Sequence, residues 1–239
     1  MMCLRRLGSL VLLLVLGGFT MPASAEPPAT PPAIDKTRTA LVFIEFQNEW
    51  VAAGGTLRAL LVRDEAQFQT AIDNGARVLQ AARAAGWTIA HAPLDLRNDR
   101  SYQVFGPAEE ALGLRRAIQN VGTWTGEGAG FPARFAPQAN EFVTAGRSGA
   151  SVLTNSTLDA FLRNNDVNTL VFLGFATHVC VESSLRQAHD LGYNAYVVTD
   201  AVGAFEDHQN AYFQEHVLHH FGAAIASDAL IDVIEAAQS

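Results

Sequence analysis

The chain has 239 residues, with 16 Lys and Arg residues against 24 Asp and Glu residues, and its formal net charge is −8. This acidic balance argues against nucleic acid or an anionic membrane surface as a partner. The length and the hydrophobic content leave room for one domain with a sizeable core.

The first 25 residues are typical of a signal peptide. Arg5 and Arg6 precede an apolar run over residues 7–19, and the sequence Ala-Ser-Ala at residues 23–25 forms an A-x-A cleavage site. The apolar run is too short to span a membrane comfortably, so we expect no membrane anchor after cleavage. The sequence therefore predicts an exported protein, periplasmic or secreted.

The mature chain is expected to hold a single domain. Residues 26–36 are proline-rich and indicate a linker, and residues 37–239 form the domain. Loss of Arg5 and Arg6 leaves 14 basic residues against 24 acidic ones, which gives the mature chain a formal charge of −10.

Short apolar runs alternate with helical patterns along the domain. The runs predict strands at residues 40–44, 87–93, 140–144, 170–175, 194–200 and 223–226. The patterns predict helices at residues 65–85, 108–118, 156–163, 208–220 and 228–237, and one from about residue 177 to Gly192. Ser156 is expected to cap one helix, Tyr212 to face inward from another, and residues 52–61 to form a loop. Because the strands alternate with helices and lack polar alternation, they predict an α/β fold with a parallel sheet covered on both faces.

A carboxylate and a cysteine stand at the ends of two of these strands. Glu45 directly follows strand 40–44, where open α/β sheets bind ligands, although a solvated strand end also explains an isolated glutamate. Cys180 lies where the buried strand 170–175 turns into a helix, whose N-terminus lowers the pKa of a cysteine. The alternative is an inert core cysteine. Since Cys3 leaves with the signal peptide, Cys180 is the one thiol of an exported chain, which favours a nucleophile.

Residues 96–141 form a long irregular segment, which is typical of a lid or a substrate-binding wall. Its aromatic residues Phe105, Trp124 and Phe131 fit two interpretations equally, since they either line an apolar pocket or anchor the segment to the core. The sequence contains no internal repeat, P-loop, G-x-G-x-x-G motif or zinc-spaced cluster.

Three separated segments together resemble the isochorismatase-like cysteine hydrolases, the superfamily that includes the nicotinamidases. Residues 44–50, Ile-Glu-Phe-Gln-Asn-Glu-Trp, are similar to that family's I-D-x-Q-N-D-F segment. Residues 146–158, Gly-Arg-Ser-Gly-Ala-Ser-Val-Leu-Thr-Asn-Ser-Thr-Leu, are similar to its G-K-x-G-x-x-A-F-x-x-T-x-L segment. Residues 174–182, Gly-Phe-Ala-Thr-His-Val-Cys-Val-Glu, are similar to G-x-A-T-x-x-C-V-E, the most specific of the three. Their order and approximate spacing agree across nearly all of the mature chain.

The resemblance implies a three-layer α/β/α sandwich with a mostly parallel, six-stranded, Rossmann-like sheet, usually assembled into homo-oligomers. It also implies an Asp-Lys-Cys triad, which falls here on Glu45, Arg147 and Cys180. The backbone N–H groups of Ala176 and Cys180 would form the oxyanion hole, with a cis peptide between Phe175 and Ala176.

Substrate binding is assigned to Trp124, Phe131 and His178. Nicotinamidases bind a metal through an Asp/His cluster just after the second strand, but residues 93–99 offer no paired histidine here. We therefore expect no metal and no other cofactor.

Two triad positions depart from the family pattern. Glu45 is one methylene longer than aspartate, which moves the proton acceptor by about an ångström. Arg147 replaces lysine and stays protonated, so it can stabilise a thiolate but cannot shuttle a proton. The alternative explanation of Arg147 is an exposed loop arginine.

The sequence predicts an exported cysteine hydrolase that cleaves a C–N bond, amide or ureido, of a small molecule through a thioester on Cys180. Family members that cleave the vinyl ether of isochorismate often lack this cysteine. One alternative is an impaired or non-catalytic family member that binds a small molecule or a partner. Another is a redox-active thiol protein, for which the mature chain offers no resolving cysteine.

Overall fold

The computed structural model describes residues 33–237. The expected signal peptide, residues 1–25, and residues 26–32 of the expected linker lie outside the described residues. Residues from Ala33 onward belong to one unit, and a 3-10 helix over Lys36–Arg38 spans the expected start of the domain at residue 37. A search of the described helices finds none with the length and apolar character that a membrane span requires.

Six strands form a single parallel sheet. Their bounds are β1 Thr39–Ile44, β2 Thr88–Ala92, β3 Phe142–Val143, β4 Thr169–Phe175, β5 Asn194–Gly203 and β6 Ala223–Ile225. The strand order is β3-β2-β1-β4-β5-β6. The central strands β1 and β4 pair from Thr39 opposite Thr169 to Ile44 opposite Gly174. The predicted parallel sheet is confirmed, and the residue after β1 lies beside the turn that follows β4.

Helices cover both faces of this sheet. Their bounds are α1 Asn48–Val51, α2 Thr56–Leu61, α3 Glu65–Ala84, α4 Leu114–Val121, α5 Leu158–Asn164, α6 Glu182–Asp190, α7 Asp207–His216, α8 Leu218–Phe221 and α9 Ser227–Ala236. A π-helical turn over Thr177–Val181 precedes α6, and 3-10 turns lie at Gln103–Phe105, Glu127–Ala129 and Ala133–Phe135.

Alternate residues of β1 pack into different halves of the core. Leu41 and Phe43 join the apolar cluster that includes buried residues of α3 and α9. Val42 and Ile44 join a second cluster with residues of α5 and α6. Because both faces of the strand are buried, its sequence is continuously apolar. The three-layer α/β/α sandwich is thereby confirmed.

Two predicted elements in the connecting segments are wrong. The second half of the predicted loop 52–61 forms α2, whose N-cap residue is Gly55, so the glycine marks the start of a helix. The helix predicted at residues 108–118 begins instead at Leu114. Gly113 has a φ of 60°, which a right-handed helix does not accommodate.

The strand predicted at residues 194–200 continues to Gly203 after a register shift opposite β4. Asp200 therefore lies inside the strand, where its carboxylate accepts hydrogen bonds from the backbone N–H and the hydroxyl of Ser227 at 2.8 and 2.6 Å. This contact ties β5 to the start of α9.

Two side chains are placed differently from the predictions. Tyr212 is 61% exposed, because α7 buries Asn210 and Phe213 instead. Thr157 is the N-cap residue of α5, although the hydroxyl of Ser156 accepts a hydrogen bond from the N–H of Leu158, the first residue of the helix, at 3.3 Å and donates to the carbonyl of Val152 at 2.6 Å. α3 and α6 form where their apolar periodicity predicts them.

Candidate active site

Glu45 is the first residue after β1, at the centre of the carboxyl edge of the sheet. Its φ is 55°, in the left-handed region that residues other than glycine rarely adopt, and its N–H donates to the Ala92 carbonyl at 3.3 Å. The side chain is buried, and its Oε2 accepts a hydrogen bond from the indole Nε1 of Trp50 at 2.8 Å. Glu45 is therefore not a solvated strand end.

Arg147 reaches Glu45 from the loop after β3. Its Nη2 lies 2.6 Å from Glu45 Oε1, and both side chains are buried. The guanidinium also donates to the carbonyl oxygens of Ala92, Gly149 and Ala150 at 3.3, 3.1 and 2.8 Å. Burial is the largest single influence and opposes the positive charge, but Glu45 and Cys180 together outweigh it and raise the pKa of Arg147, so the guanidinium stays protonated. Arg147 is thus not an exposed loop arginine.

Cys180 lies in the π-helical turn Thr177–Val181, between β4 and α6. Its thiol is buried, lines the same cavity as Glu45 and Arg147, and lies close enough to both for each to shift its pKa. Burial and the negative charge of Glu45 raise the pKa of the Cys180 thiol to about 12, against the opposite influence of Arg147. The expectation that a helix N-terminus lowers this pKa is wrong for the resting site, where the thiol keeps its proton.

These three side chains form a set within which one proton can move without a change of total charge. When the thiol gives its proton to Glu45, the negative charge passes from the carboxylate to the sulfur. Arg147 contacts Glu45 and also acts to lower the pKa of the Cys180 thiol, so it stabilises the charge in either position. A permanently protonated arginine suits this task, because the transfer needs no proton from it.

The three side chains lie on the wall of an apolar cavity of about 260 Å³. Ala176 and Cys180, whose backbone N–H groups are expected to form the oxyanion hole, line the same cavity. A cis peptide joins Phe175 to Ala176, as the resemblance implies. The larger apolar side chains of the wall include Trp50, Leu94, Phe105, Ile118, Trp124 and Phe205.

The sequence model of the isochorismatase domain matches residues 39–229 of this chain. The match extends from β1 into α9 and includes all three side chains of the set. The chain belongs to the isochorismatase family. Members of this family are hydrolytic enzymes, and this protein is an isochorismatase-family hydrolase.

Curated relatives and solved structures agree with this assignment. The ureidoacrylate amidohydrolase RutB of Stutzerimonas stutzeri is 33% identical over 204 residues, which cover 78% of this chain and 80% of that protein. A cysteine hydrolase from Pseudomonas syringae has a TM-score of 0.72 at 24% identity, with 89% of this chain and 100% of the other covered. An N-carbamoylsarcosine amidase from Thermoplasma acidophilum has a TM-score of 0.57 at 20% identity, with 80% and 97% covered. The two structures support the isochorismatase-family fold.

Of the three residues expected to bind substrate, only Trp124 lines the cavity. Phe131 packs edge-on against His91, with ring centres 5.6 Å apart. His178 packs edge-on against Phe205, with ring centres 4.8 Å apart, and burial lowers its pKa. Phe205 lines the cavity, whereas Phe131 and His178 do not.

The sequence analysis missed much of the cavity wall. Trp50 stands in the same motif as Glu45. An indole donor this close in sequence to a carboxylate could have identified Trp50 as a site residue. The apolar spacing of Leu114 and Ile118 on α4 is a second such signal, and α2 adds three leucines. Phe205 follows β5 in an irregular connection and carries no comparable signal.

The residues that follow β2 do not fit the metal site of nicotinamidases. Asp95 pairs with Arg97, with atoms 2.5 Å apart, and the Nε2 atom of His91 lies 2.8 Å from the Oε2 atom of Glu141. Within residues 33–237, no three or more His, Cys, Asp or Glu side chains cluster so as to hold a metal ion. A cofactor-free enzyme stays a prediction, and the chemistry below uses no metal.

Proposed function

We propose that this protein is a cysteine amidohydrolase that cleaves the C–N bond of a small amide or ureido compound through a thioester on Cys180. The observation that carries the proposal is that Cys180 lines the same apolar cavity as the Glu45–Arg147 ion pair, close enough for both charges to act on its thiol. Two similar proteins support the bond type, since one is a ureidoacrylate amidohydrolase and the other an N-carbamoylsarcosine amidase.

In the first half of the reaction, Glu45 takes the thiol proton and the sulfur of Cys180 attacks the substrate carbonyl carbon. The backbone N–H groups of Ala176 and Cys180 stabilise the oxyanion that develops. The C–N bond then breaks, and Glu45 returns the proton to the leaving nitrogen. The acyl group remains on Cys180 as a thioester.

In the second half, a water molecule gives a proton to Glu45 and adds to the thioester carbonyl. The C–S bond breaks, the proton returns to the sulfur, and the acid is released. With a ureido substrate the acid is a carbamic acid, which decomposes to carbon dioxide and an amine or ammonia. Glu45 thus accepts and returns one proton in each half.

The apolar wall strengthens the electrostatic interactions on which these roles of Glu45, Arg147 and Cys180 depend. Charges interact more strongly where water is excluded, so Arg147 stabilises the thiolate more than it would in solvent. The same exclusion of water gives the neutral thiol its raised pKa, so the thiolate forms only when Glu45 accepts the proton.

The replacement of the family's lysine by Arg147 favours one further candidate, a family member that binds a small molecule without turning it over. We also infer export to the periplasm or the exterior from the A-x-A segment, and a homo-oligomer from the family resemblance. Neither inference affects the chemistry at Cys180.

The test is release of ammonia from a panel of small amides and ureido compounds at neutral pH by the purified protein and its Cys180→Ala variant. We expect Cys180→Ala to lower kcat/KM by about a thousandfold or more, because it removes the nucleophile. Full turnover by Cys180→Ala would contradict the proposal. Tight binding of panel compounds by the wild-type protein without any turnover would instead support the non-catalytic binder.

A further inference from the structure

Three charged side chains line the cavity, and one of them has no counterion. Glu45 and Arg147 lie 2.6 Å apart and compensate each other. Arg115 also lines the cavity, and it forms no ion pair with any residue in the described range 33–237. The nearby Glu109 and Glu110 do not pair with it. The wall therefore presents one uncompensated positive charge.

The position of Arg115 is the mouth of the cavity. It is the second residue of α4, a helix that presents Leu114, Ala117, Ile118 and Val121 to the cavity as well. Arg115 is exposed to solvent and also part of the wall, so it lies where the cavity opens. Cys180, by contrast, is buried.

A buried thiol at one end of the cavity and a guanidinium at its mouth favour a substrate whose two ends differ in chemistry. The C–N group must reach the buried thiol, and an apolar stretch suits the middle of the cavity. A guanidinium at the mouth matches the geometry and charge of a carboxylate, to which it donates two parallel hydrogen bonds.

We propose that Arg115 binds a substrate carboxylate at the cavity mouth, so that the preferred substrates are small amide or ureido compounds with a carboxylate a few bonds from the C–N group. This assignment rests on the proposed function for the bond that is cleaved. Arg115 acts on specificity and does not take part in bond breaking.

The neighbouring Arg116 provides a matched control. It is also exposed on the same helix but does not line the cavity. Arg115→Gln and Arg116→Gln therefore remove the same charge from the same helix, and only the first removes it from the cavity wall. A general effect of net charge would change both variants alike.

The experiment compares ammonia release from 3-ureidopropionate and from butylurea, a neutral compound of similar length. We expect the wild-type protein to favour the acid, and Arg115→Gln to lower kcat/KM for the acid by about tenfold, mainly through KM. Turnover of butylurea and both rates of Arg116→Gln should stay close to wild type. Equal losses on both compounds in Arg115→Gln, or no preference for the acid in the wild type, would overturn the assignment.

A binding measurement separates this assignment from the proposed function. The Cys180→Ala variant, with and without Arg115→Gln, is titrated with 3-ureidopropionate by calorimetry. Binding that weakens about tenfold in the double variant supports the carboxylate subsite even if the wild-type protein turns over no compound. Turnover of amides by the wild type, together with unchanged binding of the acid in the double variant, overturns the subsite and leaves the amidohydrolase standing.

Discussion

The resting form of Cys180 is governed by its surroundings. Burial removes the solvation that a thiolate needs, and the adjacent Glu45 carboxylate adds repulsion, so the thiol stays neutral although Arg147 attracts the charge. In the proposed mechanism the same carboxylate takes the proton when substrate is bound. Glu45 would then both keep the free thiol neutral and serve as the base that activates it.

Trp50 fixes the position of that base. Its indole N–H donates a hydrogen bond to Oε2 of Glu45 at 2.8 Å. The other carboxylate oxygen, Oε1, lies 2.6 Å from Nη2 of Arg147. The family segment has phenylalanine and aspartate at these two positions, whereas this chain has tryptophan and glutamate. Tryptophan adds a hydrogen-bond donor that phenylalanine lacks, and the longer glutamate reaches it. The indole thereby restrains a carboxylate that has one more rotatable bond than aspartate.

Trp50→Phe keeps an aromatic ring in the wall but removes the hydrogen bond to Glu45. A hydrogen bond to a charged group contributes about 1.5–3 kcal/mol, so we expect kcat/KM to fall about ten- to a hundredfold. The measurement is steady-state turnover of Trp50→Phe in two backgrounds, with Glu45 and with Glu45→Asp. In the aspartate background the loss should be smaller, because the shorter side chain does not reach the indole.

Trp124→Phe is the control, since Trp124 lines the same cavity without donating to Glu45. We expect it to change KM more than kcat. If Trp50→Phe costs the same with Glu45 as with Glu45→Asp, the indole supports packing only and does not position the acid.

Among the elements, β1 and β4 bring the site together, and Gly174 allows their close approach. Gly174 has a φ of 121° and pairs with Ile44, the residue before Glu45. A Cβ at this position would collide with the carbonyl oxygen of Ile44 and lie 2.8 Å from its carbonyl carbon. Both atoms are backbone, so neither can move aside without shifting β1.

Gly174→Ala should therefore lower the free energy of unfolding by about 3 kcal/mol or more, from overpacking added to backbone strain. Gly192→Ala is the matched control, because Gly192 also has a positive φ of 85° but has no atom within 4 Å of its Cβ position. It should lose only about 1 kcal/mol, from strain alone. Urea unfolding monitored by circular dichroism measures both, and equal losses would refute the close-approach argument.

The strands could be predicted from sequence because their burial on both faces leaves continuous apolar runs. The connecting segments could not be predicted equally well. Gly55 is compatible with a loop and with a helix start, and tertiary contacts of α2 decide between them, among them the hydrogen bond from the Leu57 N–H to Glu49 Oε2 at 3.2 Å. The start of α4 depends on the backbone conformation of Gly113, which apolar periodicity does not report.

Across the whole molecule, a parallel sheet collects residues that are distant in the chain. Glu45, Arg147 and Cys180 follow β1, β3 and β4, and their proximity could be predicted from motif order together with strand ends at one edge. The placement of Phe131 and His178 could not, because it depends on their contacts with His91 and Phe205, which come from other segments of the chain. The raised pKa of Cys180 also depends on tertiary burial, which a local helix argument omits.

The proposed mechanism depends most on the thioester, and rapid acid quenching of the purified protein during turnover tests for it most directly. With a substrate from the amide and ureido panel, intact-mass and peptide mass spectrometry should find the acyl group on the peptide that contains Cys180. Cys180→Ala should show neither this adduct nor turnover. Turnover that persists in Cys180→Ala, with the wild-type protein unmodified at every quench time, would contradict the mechanism.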